Sequence, residues 1–220
     1  CFMVVFPSGL FNTWNAGPSM PYAHEIDDNS YFDALIDNIE INYPLDTNRV
    51  YLTGHSMGGF MASHLNCTST SFTAYGGSGG GISHGYYQGN EYEDLCKIEN
   101  GTYPNPMIIS HGTADQVVPY EWAIFNLYHF QLLNNCSDNV PWPYDYPWPD
   151  FNDTGDFWDD PEDDLNDIED IVFSTADTLE YNGIIQRYQW SDGCLGGSSA
   201  LEAIILPVSY THLRAHETAV

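Results

Sequence analysis

Arg49-Val50-Tyr51-Leu52-Thr53-Gly54-His55-Ser56-Met57-Gly58-Gly59 is the stretch on which the fold turns. A short strand ends in glycine, one residue separates that glycine from a serine, and the next glycine follows at the same spacing. A small-residue helix then continues through Ala62 and Leu65. A serine placed this way sits on a strained strand-to-helix turn that needs small neighbours, and its hydroxyl projects from the sheet edge. The helix N-terminus behind it and the backbone N–H of Met57 are placed to favour an oxyanion. Ser56 is therefore the candidate nucleophile and Met57 the candidate backbone oxyanion donor.

On either side of this turn, strands alternate with helices. Phe2-Met3-Val4-Val5-Phe6 is an apolar run that reads as a buried strand, ended by Pro7-Ser8-Gly9. A helix is expected from about Asp28, with Phe32, Leu35, Ile36 and Ile39 on one face. Phe72 to Tyr75 is a strand candidate, followed by the glycines of 76–81. Met107-Ile108-Ile109-Ser110 is another strand. Glu121 to Leu133 is a helix with Trp122, Phe125, Tyr128 and Leu132 on one face. Ile184 to Trp190 and Ala203 to Leu206 read as the last strands. This order predicts an α/β fold, a mostly parallel sheet with helices on both faces. A chain that opens inside a core strand is expected to be a partial domain over 1–206, incomplete at both ends.

A nucleophilic serine needs a base, and the base needs an orienting carboxylate. Asp115 follows the strand at Met107 to Ser110, on a loop at a strand's carboxyl end, where such sheets bind ligands. It is the candidate acid. His111 precedes it at the end of the strand and reads as structural. His55, inside the turn, would point away from the hydroxyl, and His84 lies in a glycine-rich loop ahead of the acid.

The composition narrows the partners. The chain has 220 residues, and 31 acidic side chains against 4 basic ones leave a formal charge of -27. Nucleic acid and anionic membranes would repel it. A hydrophobic fraction of 43% is ample for a core, and no apolar run approaches the roughly 18 to 20 residues of a membrane span. Acceptor sequences for N-glycosylation stand at Asn66, Asn100, Asn135 and Asn152. Cys67, Cys96, Cys136 and Cys194 could form two disulfides, leaving Cys1 over. Both features suit a secreted protein.

Phe6-Pro7-Ser8-Gly9-Leu10 with Trp14-Asn15, Asp46-Thr47-Asn48-Arg49-Val50-Tyr51, the turn at Ser56, and His111-Gly112-Thr113-Ala114-Asp115-Gln116-Val117-Val118-Pro119-Tyr120 carry a resemblance. Together they resemble the polyhydroxybutyrate depolymerase and feruloyl esterase family of secreted α/β-hydrolases. The likeness covers roughly residues 2 to 137 and resumes near Tyr188 to Leu206, and the motif after Gly112 is its most specific part. It implies Ser56 as nucleophile, Asp115 as acid, a disulfide between Cys136 and Cys194, and more weakly one between Cys67 and Cys96. It implies no cofactor and no metal, and an ester substrate, polymeric or from the plant cell wall. The family's early His-Gly loop, source of a second oxyanion donor, would lie upstream of Cys1.

The family's catalytic histidine follows the last strand in a glycine-rich turn. Here Pro207-Val208-Ser209-Tyr210-Thr211-His212-Leu213-Arg214-Ala215-His216-Glu217-Thr218 follows instead, which looks like a translated sequencing adapter. Residues 207–220 are expected to be a non-native tail, with His212 near the base position by coincidence. The chain as it stands is expected to be inactive or nearly so. Residues 141–170, twelve of them acidic and interrupted by Pro141, Pro143, Pro147 and Pro149, read as a surface insertion. Asp150 to Asp156 partly matches a calcium loop, but Pro161 stands where the bidentate Glu should be, so no metal is assigned. Trp142, Trp148 and Trp158 could serve a non-catalytic carbohydrate- or polymer-binding protein. A peptidase or lipase on the same fold is the other alternative.

Overall fold

The computed structural model describes residues 2–17, 26–82, 86–87, 90–91, 105–133, 177–181, 185–190 and 201–206. The insertion at 141–170 and the tail at 207–220 lie outside them. Strands β1 (Tyr51–His55), β2 (Ala74–Ser78), β5 (Met107–Gly112), β8 (Leu201–Leu206), β7 (Ile185–Trp190) and β6 (Asp177–Tyr181) form one sheet in that spatial order. β1, β2, β5 and β8 run parallel, and β7 and β6 join antiparallel. A separate two-stranded ladder joins β3 (Tyr86–Tyr87) to β4 (Asn90–Glu91). The helices are α1 (Asp28–Asn42), α2 (Met57–Thr68) and α3 (Glu121–Leu133).

Alternation along the strands sets which side faces the core. Tyr75, Met107, Ile109, Leu201, Ala203 and Ile205 are buried, and α2 lies over this side, its Leu65 carbonyl accepting from the Tyr75 hydroxyl. α3 sits beside α2, with Trp122 edge-on to Phe60 at 5.0 Å. On the other side, Thr53, Gly76, Ile108 and Glu202 fall in register, and Ile108 is 40% exposed there. Arg187 pairs with Glu202 on that side through two 2.7 Å bonds.

α1 begins where Asp27 accepts from the Ser30 N–H at 3.0 Å, which satisfies one of the helix's free donors. Phe32 is buried and Leu35, Ile36 and Ile39 are half-buried, as the spacing predicts. Trp14 packs on Phe32 at 5.2 Å, Phe32 on Phe72 at 6.1 Å and Phe72 on Tyr75 at 5.6 Å, so aromatic rings run from the loop to the sheet. Asn15 anchors that loop: its N–H donates to the Asp28 carboxylate at 2.6 Å and its side-chain amide to the Ile26 carbonyl at 2.7 Å.

Two expectations are corrected. Phe2 to Phe6 is not a buried strand: it joins no ladder, and Phe2 and Phe6 are 90% and 89% exposed. Apolar composition alone does not supply a neighbouring strand, and β1 closes this edge of the sheet without pairing to the segment. α3 buries more than one face, since every residue from Ala123 to Gln131 is buried, including Asn126, His129 and Gln131.

α1 and α2 are tied by a polar ring in which Asn29 donates to Thr68 Oγ1 at 2.9 Å, Thr68 to the His64 carbonyl at 2.8 Å, and His64 Nε2 to Asn29 Oδ1 at 3.1 Å. Burial pushes the His64 imidazole down to about 4. Because the folded value lies below the unfolded one, the neutral ring's contribution is complete above about pH 6.5 and lost as the pH falls toward 4. Across that window His64 should withdraw about 3 kcal/mol of stability. Urea unfolding at pH 7 and pH 4.5 checks this: the loss should be smaller in His64→Gln than in the native chain.

Candidate active site

β1 runs into Ser56, which adopts φ 53° and ψ -119°, and α2 starts at the next residue. A non-glycine residue in that region carries strain, which persists only where surrounding structure enforces it. The enforcement here is backbone bonding. The Ser56 N–H donates to the Ser78 carbonyl at 2.8 Å, and the Ser56 carbonyl accepts from Gly59 at 2.8 Å and Phe60 at 3.1 Å. The Ser56 hydroxyl makes no capping bond to α2. Met57 is the first residue of α2, so its N–H has no carbonyl to meet within the helix.

The glycines are not equivalent. A Cβ on Gly54 would fall inside the Gly58 carbonyl group, whereas a Cβ on Gly58 would meet nothing within 4 Å. Gly59 faces the Ser78 carbonyl and Gly80, and a Cβ on Gly80 would stand 2.8 Å from Gly59 and Phe60 backbone atoms. The loop after β2 thus lies backbone against backbone on the first turn of α2.

Asp115 sits in the turn after β5 and is 7% exposed. Its Oδ1 accepts from the N–H groups of Val117 at 2.9 Å and Val118 at 3.1 Å. Its Oδ2 is buried and has no hydrogen-bond partner among the described residues. Gly79, at φ +55°, joins this carboxylate to the serine turn: a Cβ there would lie 3.3 Å from His55 Cε1 and 3.7 Å from Asp115 Oδ2. Ser56, Gly79 and Asp115 therefore gather at the carboxyl ends of the adjacent strands β1, β2 and β5. β8 ends beside them, where the Thr113 N–H donates to the Leu206 carbonyl at 2.8 Å.

His111, at the end of β5, is fully buried, and its Nε2 donates to the Val118 carbonyl at 2.8 Å. Burial holds its pKa below the ordinary value, against the raising influence of the Val118 carbonyl and of Asp115. Sequence reasoning set it aside as structural; its bond to the residue that secures Asp115 emerges only in three dimensions.

Asn66 is corrected as a glycosylation acceptor. It is 5% exposed, its side-chain amide donates to the Asn105 carbonyl at 3.2 Å, and its oxygen accepts from the Asn105 N–H at 3.0 Å. A buried, bonded amide has no room for a glycan. Cys67 is disulfide-bonded. Its candidate partner Cys96, together with Cys136, Cys194, Asn100, Asn135, Asn152, His84, His212 and His216, lies outside the described residues.

No family model matches the chain. Among solved structures it is similar to the acetyl xylan esterase of Aspergillus awamori, with a TM-score of 0.54, 13% identity, and coverage of 83% of this chain and 62% of that one. By sequence it is 26% identical over 149 residues to a bifunctional acetylxylan esterase/xylanase of Neocallimastix patriciarum. It is also 29% identical over 136 residues to the "Probable feruloyl esterase C" of Aspergillus terreus. The chain is thus similar in sequence to two esterases and has the α/β-hydrolase fold. The matches take in 66% and 60% of this chain but only 19% and 43% of those two relatives.

The unequal glycines yield a paired test. Gly54→Ala should destabilise the fold by about 3 kcal/mol, because backbone must move to admit the methyl group. Gly58→Ala, at an open helical position, should stabilise it by about 0.5 to 1 kcal/mol. Thermal melts of the two variants should shift in opposite directions.

Proposed function

We propose that this chain carries the catalytic serine and acid of a secreted carboxylic ester hydrolase acting on esters of the plant cell wall, feruloyl or acetyl. The reading rests most on the Asp115 carboxylate. One oxygen is saturated by two backbone N–H groups, while the other is buried and unbonded among the described residues. A buried acceptor without a donor is costly. An imidazole N–H placed on it would relieve that cost and orient the ring toward a serine on the adjacent strand end. The relatives' names support ester chemistry and plant-wall substrates, and they favour this class over polyhydroxybutyrate. The disulfide at Cys67 and the acceptor sequences at Asn100, Asn135 and Asn152 support secretion.

In this mechanism the Ser56 hydroxyl oxygen attacks the ester carbonyl carbon while a histidine takes its proton. The Met57 N–H steadies the oxyanion at the positive end of α2. The carbonyl re-forms, the bond to the alcohol oxygen breaks, and the alcohol leaves with the proton from the histidine. Water then cleaves the acyl–Ser56 bond by the same route. The half-buried setting of Ser56 suits attack on an incoming chain. With an activated nitrophenyl ester the acyl-enzyme should form faster than water cleaves it, so deacylation is the slow step.

A slow deacylation makes the acyl-enzyme itself the readout. Treated with 4-nitrophenyl acetate and quenched in acid, the chain should gain one acetyl group by intact mass, mapped by peptide digestion to Ser56. Ser56→Ala should abolish it, and Asp115→Asn should slow it by about 100-fold or more. Acetylation that persists in Ser56→Ala would remove the serine from the chemistry.

A further inference from the structure

His111 is a buried titratable side chain that this mechanism does not use. It is the fifth residue of β5, fully enclosed, and packed near the Tyr120 ring at 6.2 Å. Its Nε2 lies 2.8 Å from the Val118 carbonyl, an acceptor only, so Nε2 carries the proton. The Val118 N–H, on the same residue, donates to Asp115 Oδ1, alongside that of Val117. The turn from β5 to Val118 is thus closed twice, once by the carboxylate inside it and once by the imidazole beneath it. His111 Nε2 stands 3.9 Å from Asp115 Oδ2, beyond hydrogen-bond range, so it leaves that oxygen free.

We propose that His111 is a positioning residue for Asp115: by holding Val118, it keeps Oδ1 saturated by backbone donors and Oδ2 presented to the catalytic base. The inference rests on the reading of Asp115 as the acid. A side chain that merely filled the core would need no donor, and Leu or Phe would serve. This position uses an N–H at one reach, from a strand end to a carbonyl seven residues on. The charged or titratable groups that bear on His111 are Asp115, Glu121 and His55. Burial dominates over them and favours the uncharged ring. A neutral His111 places no positive charge against Asp115, whose negative charge then remains available to the imidazolium formed during catalysis.

The 220-residue chain, labelled with ¹⁵N, tests this with two variants. His111→Gln places a side-chain N–H at nearly the reach of Nε2, whereas the shorter side chain of His111→Asn cannot reach Val118. In His111→Asn the Val117 and Val118 amides should exchange with solvent at least about tenfold faster, while α2 and α3 amides stay within about twofold. In His111→Gln they should regain protection. Ser56 acetylation should slow about 10- to 100-fold in His111→Asn and recover in His111→Gln, the cost expected of misplacing a catalytic group by about an ångström. Unchanged Val117 and Val118 amides in His111→Asn would overturn the proposal. So would equal loss of protection across α2 and α3 in both variants, which would assign His111 to packing. Should the native chain show no Ser56 acetylation, the amide exchange still decides whether His111 holds the turn, so the two readings fail separately.

Discussion

Backbone lies directly on backbone around Gly54 to Gly59, with no side chain between, and the rest of the site depends on that contact. Gly54 lets β1 end against the Gly58 carbonyl, and Gly80 lets the loop after β2 settle on Gly59 and Phe60. The bond from Ser56 to Ser78 fastens the two strand ends together. Ser56 is left with a dihedral pair it would not choose alone, and its neighbours hold it there. The same closeness brings Gly79 against both His55 and Asp115, so Asp115 stands where it does partly because the serine turn is so thin.

Support for the turn continues inward. The Ser63 hydroxyl donates to the Gly59 carbonyl at 3.2 Å, and Asn126 of α3 donates to Ser63 at 3.0 Å. These groups are fully or almost fully buried, where a polar contact specifies one arrangement because a lost partner is not replaced by water. A helix carrying Asn126, His129 and Gln131 in its interior is unusual for simple packing, and this link gives Asn126 a reason. Rigid backing of this kind is what a serine needs if its hydroxyl is to meet a carbonyl at one angle.

The parts of the site that were legible in the sequence are those whose geometry is local. Gly54-His55-Ser56-Met57-Gly58 announces a strand-to-helix turn because few other backbones tolerate that spacing. Asp115 was legible because its turn follows an unmistakable strand. What could not be read depended on distant partners. Phe2 to Phe6 has the composition of a core strand, but composition does not say whether a neighbour pairs with it. Asn66 has the acceptor motif of a surface residue, yet Asn105, far along the chain, takes up its amide. Gly58 looked as necessary as Gly54, and only the packing shows that one is crowded and the other free. His111 reads from the sequence as structural, but its hold on Val118 spans a turn whose closure no periodicity reveals.

The bond between Thr113 and Leu206 couples the last parallel strand to the turn that carries Asp115. Leu201, Ala203 and Ile205 alternate with Glu202, Ile204 and Leu206 along β8, and only the first set faces the core. Sliding β8 by one residue would carry Glu202 into that core, away from Arg187, and would bury a carboxylate without a counter-ion. The greasy side of one strand therefore works as a ruler. It meters the point at which the chain leaves the sheet beside Asp115, to within the 3.3 Å or so of a single residue step. Precision at the carboxyl ends of the strands is borrowed from a register enforced several residues away, by side chains on the core face of β8.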